Sequence, residues 1–351
     1  MKGVKGENAY NNLVSFRRNL KKKRFAIEGN PAAAIYGESQ VGKSYLISSL
    51  LSEEGNPFVL VDQNNKSHNF IEDINPPGGG SESTSLVSRF SVNYKPIDKN
   101  FPIKANLLSP KDIILVLSDS FYSDIKTNHD TILKSEVIAE ELIIINEKFK
   151  DKAPVQHIIE EDDILDIKDY FNNNLQKAGA VLSSGFFDNI SKIISHIEPN
   201  EWKNIFSILW NKNEKISSLF SELISEYKKL NFSNCVYLPV ESVLYKHGTL
   251  LDVKRLKEIY STPDRIESDY KAETDLLFFN NEQSQLINFR KPILCALCAE
   301  LVFNQPESLV KTKAFLSTTD LLDFPGARSR LSLPENLIET EMIPELLLRG
   351  K

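Results

Sequence analysis

Only three cysteines, two methionines and two tryptophans occur in the 351 residues. So few cysteines exclude a disulfide framework, the device by which small secreted domains make up for a small core. The opening residues are polar and basic, with no apolar stretch of the kind a secretory signal needs. The longest aliphatic runs, such as Ile113 to Leu117, fall far short of the roughly 20 residues that a membrane-spanning helix requires. Together these absences make a reducing cytoplasm the expected location.

Positive charge is also short: 42 Lys and Arg against 48 Asp and Glu leave a net charge of −6. Nucleic acid is therefore not an expected partner, and nothing global draws the chain to anionic lipid. The five histidines are scattered and form no ligand spacing. Cys295 and Cys298 make a lone C-x-x-C in an apolar segment expected to be helical, which reads as two core cysteines rather than a metal or redox pair.

What is present is enough apolar residue, 41%, to build sizeable cores, and a length that suggests two or three domains. Residues 5–28 carry Leu13, Phe16 and Leu20 at helical spacing and end in a basic run, Arg17, Arg18 and Lys21 to Arg24. That run is expected to be a solvated helix end; contact with anionic lipid, RNA or an acidic partner is the alternative. A short apolar strand follows at Ala32 to Tyr36. The Asn-, Pro- and Gly-rich stretch 62–83 reads as a mobile loop without long regular elements. Beyond it, Thr84 to Val92 alternates as a strand, with Ser88 and Phe90 on one face and Val87 and Arg89 on the other. Phe101 to Leu108 is a second candidate strand.

From about 110 to 230 the pattern is helical. Trp202, Ile205, Phe206, Leu209 and Trp210, and then Ile216 through Leu230, form three-four stripes that mark buried faces. The carboxylate run Glu160 to Asp163 is expected to be a solvated helix start. Strand signals return at Cys235 to Val240. A helix is expected over Lys291 to Phe303, a strand over Phe315 to Leu322, and a last helix over Glu335 to Leu348.

Chemistry concentrates at Gly37-Glu38-Ser39-Gln40-Val41-Gly42-Lys43-Ser44, a full G-x-x-x-x-G-K-S between a strand and a helix. Backbone amides of such a loop cradle phosphates, and the helix places its positive end on them. Lys43 would reach the β and γ phosphates, and the Ser44 hydroxyl would ligate Mg²⁺. Asp323-Phe324-Pro325-Gly326 is a D-x-x-G at the end of an apolar strand. Its aspartate would help hold the metal and Gly326 would contact the γ phosphate. Thr84, just after the glycine loop and before a strand, is the candidate for a hydroxyl that reaches the metal only when the γ phosphate is present.

Three segments resemble the bacterial SrfC-like putative virulence factor family. They are Tyr36 to Ser44, Ile74 to Gly80 with Thr84 to Phe90, and Leu322 to Arg330. The order of motifs is also similar, more distantly, to that of dynamin-like GTPases. The resemblance implies an α/β fold, a P-loop NTPase sheet of the G-domain kind interrupted by a large, mostly helical insertion. The expected boundaries are an N-terminal helix at 1–30, a first part of the nucleotide domain at 31–108, the insertion at 109–231, and a second part at 232–351. The second part lacks strands a full G domain would have, which makes the chain read as a portion of a longer protein.

The implied nucleotide contacts are Gly37, Glu38, Ser39, Gln40, Val41, Gly42, Lys43, Ser44, Tyr45 and Gly326. Ser44, Thr84 and Asp323 are the implied metal ligands, and Lys43, Thr84 and Arg328 the catalytic groups. Ser39 stands where dynamin-like loops often carry a catalytic Gln, and no N-K-x-D or T-K-x-D follows the D-x-x-G turn. The expected ligands are therefore Mg²⁺ with GTP, or with ATP. Hydrolysis is the first expectation. A switch or assembly module with little turnover, acting through protein partners or self-association, is the rival.

Overall fold

The computed structural model describes residues 2–37, 42–53, 56–76, 86–124, 132–252, 254–259 and 269–325. The chain opens with helix α1 (Lys2–Glu28), strand β1 (Ala32–Ile35) and helix α2 (Lys43–Leu51). A hairpin of β2 (Val59–Val61) and β3 (Ser67–Asn69) runs into a π-helical turn at Phe70–Ile74, and strands β4 (Val87–Ser91) and β5 (Ile103–Leu107) follow. Seven helices come next: α3 (Pro110–Asp124), α4 (Ser135–Phe149), α5 (Glu161–Asn174), α6 (Gly179–Ser183), α7 (Phe186–Ile193), α8 (Trp202–Phe206) and α9 (Glu214–Lys229). The rest consists of β6 (Cys235–Leu238), α10 (Lys254–Lys257), β7 (Glu273–Asn280), β8 (Gln283–Arg290), α11 (Lys291–Leu297), β9 (Cys298–Asn304), α12 (Leu309–Thr312) and β10 (Asp320–Asp323).

Eight strands form one mixed sheet in the order β1-β10-β4-β9-β5-β6-β7-β8. The β1/β10 and β4/β9 pairs are parallel and the others antiparallel. The seven helices from α3 to α9 thus leave the sheet at β5 and return at β6, which pairs directly with β5. The strand period of two sorts the sheet faces. Leu321, Phe90, Phe303 and Ala105 point to one side, where Phe58, Phe70, Phe90 and Phe303 pack ring on ring at 5.2–5.8 Å. On the other side Arg89 bridges Glu300 at 2.9 Å and Asp320 at 3.0 Å.

The helical stripes are core. Trp202, Phe206, Trp210, Phe220 and Tyr227 are fully buried, with edge-on or tilted ring contacts, and the Trp210 indole donates to the Ser217 hydroxyl at 2.9 Å.

Several expectations need correction. Lys291 to Phe303 is not one helix: it turns to strand at Cys298, because that segment fills the buried slot between β4 and β5. Tertiary pairing there outweighs helix propensity. Both cysteines are buried all the same. The final strand is shorter, preceded by a 3₁₀ turn at Ala314–Ser317. The described part of the stretch 62–83 has no long element, as expected, but its short strand β3 and π-turn are anchored by the fully buried Phe70 and Ile74. The hairpin β7–β8 went unread in the sequence. Its two-residue turn, Asn281-Glu282, has both residues at positive φ, the form that matches strand twist.

The two charge runs expected to be solvated find each other instead. Glu160 and Asp163 form a capping box at the start of α5. Arg17 reaches Asp162 at 2.5 Å, Lys21 reaches Asp162 at 2.6 Å, and Arg18 reaches Asp166 at 2.5 Å and Asp169 at 2.6 Å. The basic end of α1 is thereby clamped along α5. Among the described residues no helix is long and apolar enough to cross a membrane. The expected helix at 335–348 lies outside the described residues.

Candidate functional site

β1 ends and α2 begins on either side of the glycine-rich loop. Gly42 sits in the left-handed region at φ +87°, where glycine pays no Cβ penalty. It caps α2: Leu46 N–H donates to the Gly42 carbonyl at 2.9 Å. The first-turn amides of a helix have no intrahelical acceptor and are left to a ligand or water. Ile47, Ser48 and Leu51 bury the inner face of α2, while Tyr45 at its start is exposed. The Lys43 ammonium donates to the Gly37 carbonyl at 3.0 Å, across the mouth of the loop.

Because β1 and β10 are parallel neighbours, with Ile35 level with Asp323, the end of β10 lies beside the start of α2. The Ser44 hydroxyl donates to Asp323 Oδ2 at 2.5 Å. It also accepts from the Asn75 side-chain amide at 3.2 Å. Asn75 closes the π-turn through its own N–H to the Phe70 carbonyl, so the buried Phe70 and Ile74 hold it in place. Three distant segments thus converge on one hydroxyl.

Asp323 is 2% exposed, and its Oδ1 has no hydrogen-bond partner. Burial pushes its carboxyl above the ordinary value, against the opposing pull of the Ser44 hydroxyl and the Lys43 charge. A buried carboxylate oxygen without a donor is costly unless a cation completes it. Among the described residues no three His, Cys, Asp or Glu side chains gather as a metal cage. The donor set is instead one carboxylate and one hydroxyl, which suits Mg²⁺, an ion that keeps waters and takes its other ligands from phosphates.

The structure therefore brings Gly37, Gly42, Lys43, Ser44 and Asp323 to one corner, with Tyr45 at its rim. Glu38, Ser39, Gln40, Val41, Thr84, Gly326 and Arg328 lie outside the described residues. Asn75 was not singled out from sequence as a site residue. The only signal for it was its place in the Ile74-Asn75-Pro76-Pro77 segment, since prolines after a polar residue fix the chain's exit. No curated protein matches the chain. The profile of the family described as putative bacterial virulence factor matches residues 5–351, and the chain belongs to that family.

Proposed function

We propose that this protein binds a nucleoside triphosphate with Mg²⁺ at the Gly37–Ser44 loop and hydrolyses it, as a dynamin-like GTPase. The observation that carries this reading is the Ser44–Asp323 pair at 2.5 Å, with the second Asp323 oxygen buried and unsatisfied. The pairing of β1 and β10 as adjacent parallel strands sets the Asp323 carboxylate beside the first turn of α2.

In this reading Ser44 and Asp323, the latter directly or through water, hold the metal, which when bound withdraws charge from the β and γ phosphate oxygens. Lys43 lets go of the Gly37 carbonyl and turns its ammonium to those oxygens. The first-turn amides of α2 would bind the β phosphate, as the positive end of a helix does. Water attacks the γ phosphorus and gives up a proton to solvent, the bond to the β–γ bridging oxygen breaks, and nucleoside diphosphate and inorganic phosphate leave. Once turned, the Lys43 ammonium would stand where charge accumulates in that transition state. Thr84 and Gly326 would sense the γ phosphate, and Arg328 would add positive charge.

The test is calorimetric titration of GTP and of ATP, each with Mg²⁺, into the wild-type chain and Lys43→Ala, with phosphate release followed in parallel. Saturable binding is expected to weaken by about 100-fold in the variant, the scale of one lost charge-assisted phosphate contact. A preference for GTP supports the dynamin-like assignment. Equal or better binding of ATP keeps the loop and discards the GTPase label. Binding without phosphate release would make the protein a switch or assembly module. Failure of the wild type to bind either nucleotide would overturn the proposal.

A further inference from the structure

Lys291 opens α11 and is 1% exposed. Its backbone N–H donates to the Ala272 carbonyl at 2.9 Å, which fixes its root beside the entry to β7. Its side chain donates to the carbonyls of His247 at 2.6 Å and Gly248 at 3.1 Å. These two residues end the 3₁₀ turn Tyr245–His247, whose exit is the left-handed Gly248 at φ +74°. That turn lies against the π-helical turn Phe70–Ile74. The π-turn in turn leads to Asn75, whose amide reaches the Ser44 hydroxyl.

The surroundings of Lys291 are poor in acceptors. Among the described residues no carboxylate pairs with it. Glu258, just after α10, is held by Arg255 at 2.5 Å and by the Tyr270 hydroxyl at 2.6 Å. Glu222 of α9 is held by Arg290 at 3.0 Å, Glu273 of β7 is exposed, and buried Asp252 has a partner of its own. The His247 ring bonds the Asp269 carbonyl. The neighbouring cations are Lys271 and the buried Arg255, whose Nε–H has no acceptor. An ammonium carries three N–H donors, and two carbonyls meet it here; a neutral amine carries two. The arrangement therefore fits the uncharged side chain. Burial, then the charges of Arg255 and Lys271, bring its value down to about 7, against a weaker pull from Glu258.

We infer that Lys291 is a proton-sensitive pin behind the candidate site: as a neutral amine it holds the Tyr245–Gly248 turn against the π-turn that leads to Asn75, and on taking up a proton it lets both turns open. The pin stands on the geometry around Lys291; its effect on a ligand rests on the proposed nucleotide site. In that reading Lys291 is a positioning residue, acting on Ser44 through Asn75. The sign follows from the lowered value. Between about pH 7 and the ordinary lysine value, the closed turn holds fewer protons than the open one. Opening therefore becomes less favourable as pH rises through that window, by about tenfold per pH unit for one proton, and is level below it.

Hydrogen exchange of the full chain between about pH 6 and 9.5, corrected for intrinsic rates, tests this. Segments 70–75 and 244–250 report the two turns. In wild type both should gain protection by up to about tenfold per pH unit above pH 7 and be level below it. Lys291→Met, which cannot take up a proton, should show no such dependence. Lys291→Arg, which stays charged, should be independent of pH and at least as open as wild type at pH 6. Wild-type protection that is flat across the window overturns the proposal. So does Lys291→Met retaining the wild-type dependence, which would place the titrating group elsewhere. A response in 244–250 with none in 70–75 overturns the link to Asn75. Calorimetric titration of Mg²⁺-GTP and Mg²⁺-ATP at pH 7 and 9 is the second arm. Wild type should gain affinity with pH by more than Lys291→Met does; equal gains overturn the link to the site. If neither nucleotide binds at any pH while exchange responds as expected, the pin stands and the nucleotide reading falls.

Discussion

Asp162 and Asp323 are both buried aspartates beside cationic side chains, yet their carboxyls are displaced in opposite directions. Burial works against the charge of both. At Asp162 the hydrogen bonds from Arg17 and Lys21 outweigh it, and the carboxyl sits below its ordinary value. At Asp323 only one hydroxyl donates, Oδ1 has no partner, and the carboxyl sits above it. The satisfied aspartate joins two helices into one surface. The unsatisfied one sits at the end of a strand, beside Ser44 and Lys43 in the first turn of α2. In the proposed function, the buried Asp323 oxygen without a donor is the one a metal would complete.

The largest effect expected from this contrast is at Asp323. With nucleotide and Mg²⁺ at 100 times the dissociation constant, the folded wild type should gain about 2.7 kcal/mol. Asp323→Asn should lose most of that gain. In the absence of ligand the same substitution should stabilise the protein by roughly 1 kcal/mol, because it removes a buried charge that lacks a donor. Urea unfolding at pH 7, with and without Mg²⁺-nucleotide, measures both. An Asp323→Asn chain less stable than wild type without ligand would put Asp323 in the same class as Asp162.

Asp162→Asn should do the reverse, destabilising the ligand-free protein by roughly 1–2 kcal/mol while leaving nucleotide binding unchanged. The figure is held below that of a fully buried pair because Arg17 and Lys21 are about half exposed. High salt should shrink the difference between wild type and variant, since the cations are reached by solvent. If 1 M salt leaves that difference intact, packing rather than charge holds α1 to α5.

How far each region could be read in advance follows from the range of the interactions. The loop, its strand and its helix are contiguous, and Gly42, Lys43 and Ser44 declare themselves by spacing alone. Asp323 declared itself by its D-x-x-G turn, but its distance from Ser44 depends on β1 and β10 being neighbours, which no local pattern encodes. Asn75 was hidden in a stretch whose Asn, Pro and Gly content reads as loop; the burial of Phe70 and Ile74 orders it. The clamp between α1 and α5 was hidden for the same reason. Each charge run looks solvated alone, and only the fold brings residues 17–22 to residues 160–169. Cys298 to Phe303 failed differently: its composition suits a helix, and the slot between β4 and β5 makes it strand.

The smallest effect, and the sharpest on sign, is the pH dependence on either side of the ordinary aspartate value. For Asp162 the folded value is lowered, so its contribution is present above the unfolded value and is lost as pH falls through the lowered folded value. For Asp323 the folded value is raised, so between the ordinary aspartate value and the raised one the folded state holds more protons than the unfolded state. Stability contributed there falls as pH rises through that window. In ligand-free wild type the two contributions lie on either side of the ordinary aspartate value, so stability from this pair rises with pH below that value and falls with pH above it. Asp323→Asn should remove the fall in stability above the ordinary aspartate value, and Asp162→Asn should remove the gain below it. Mg²⁺-nucleotide should act on wild type as Asp323→Asn does, because a cation at Oδ1 restores the carboxyl to the charged form at lower pH. Urea midpoints across the acid range, for the three chains with and without ligand, would expose a failure of this reasoning as parallel curves.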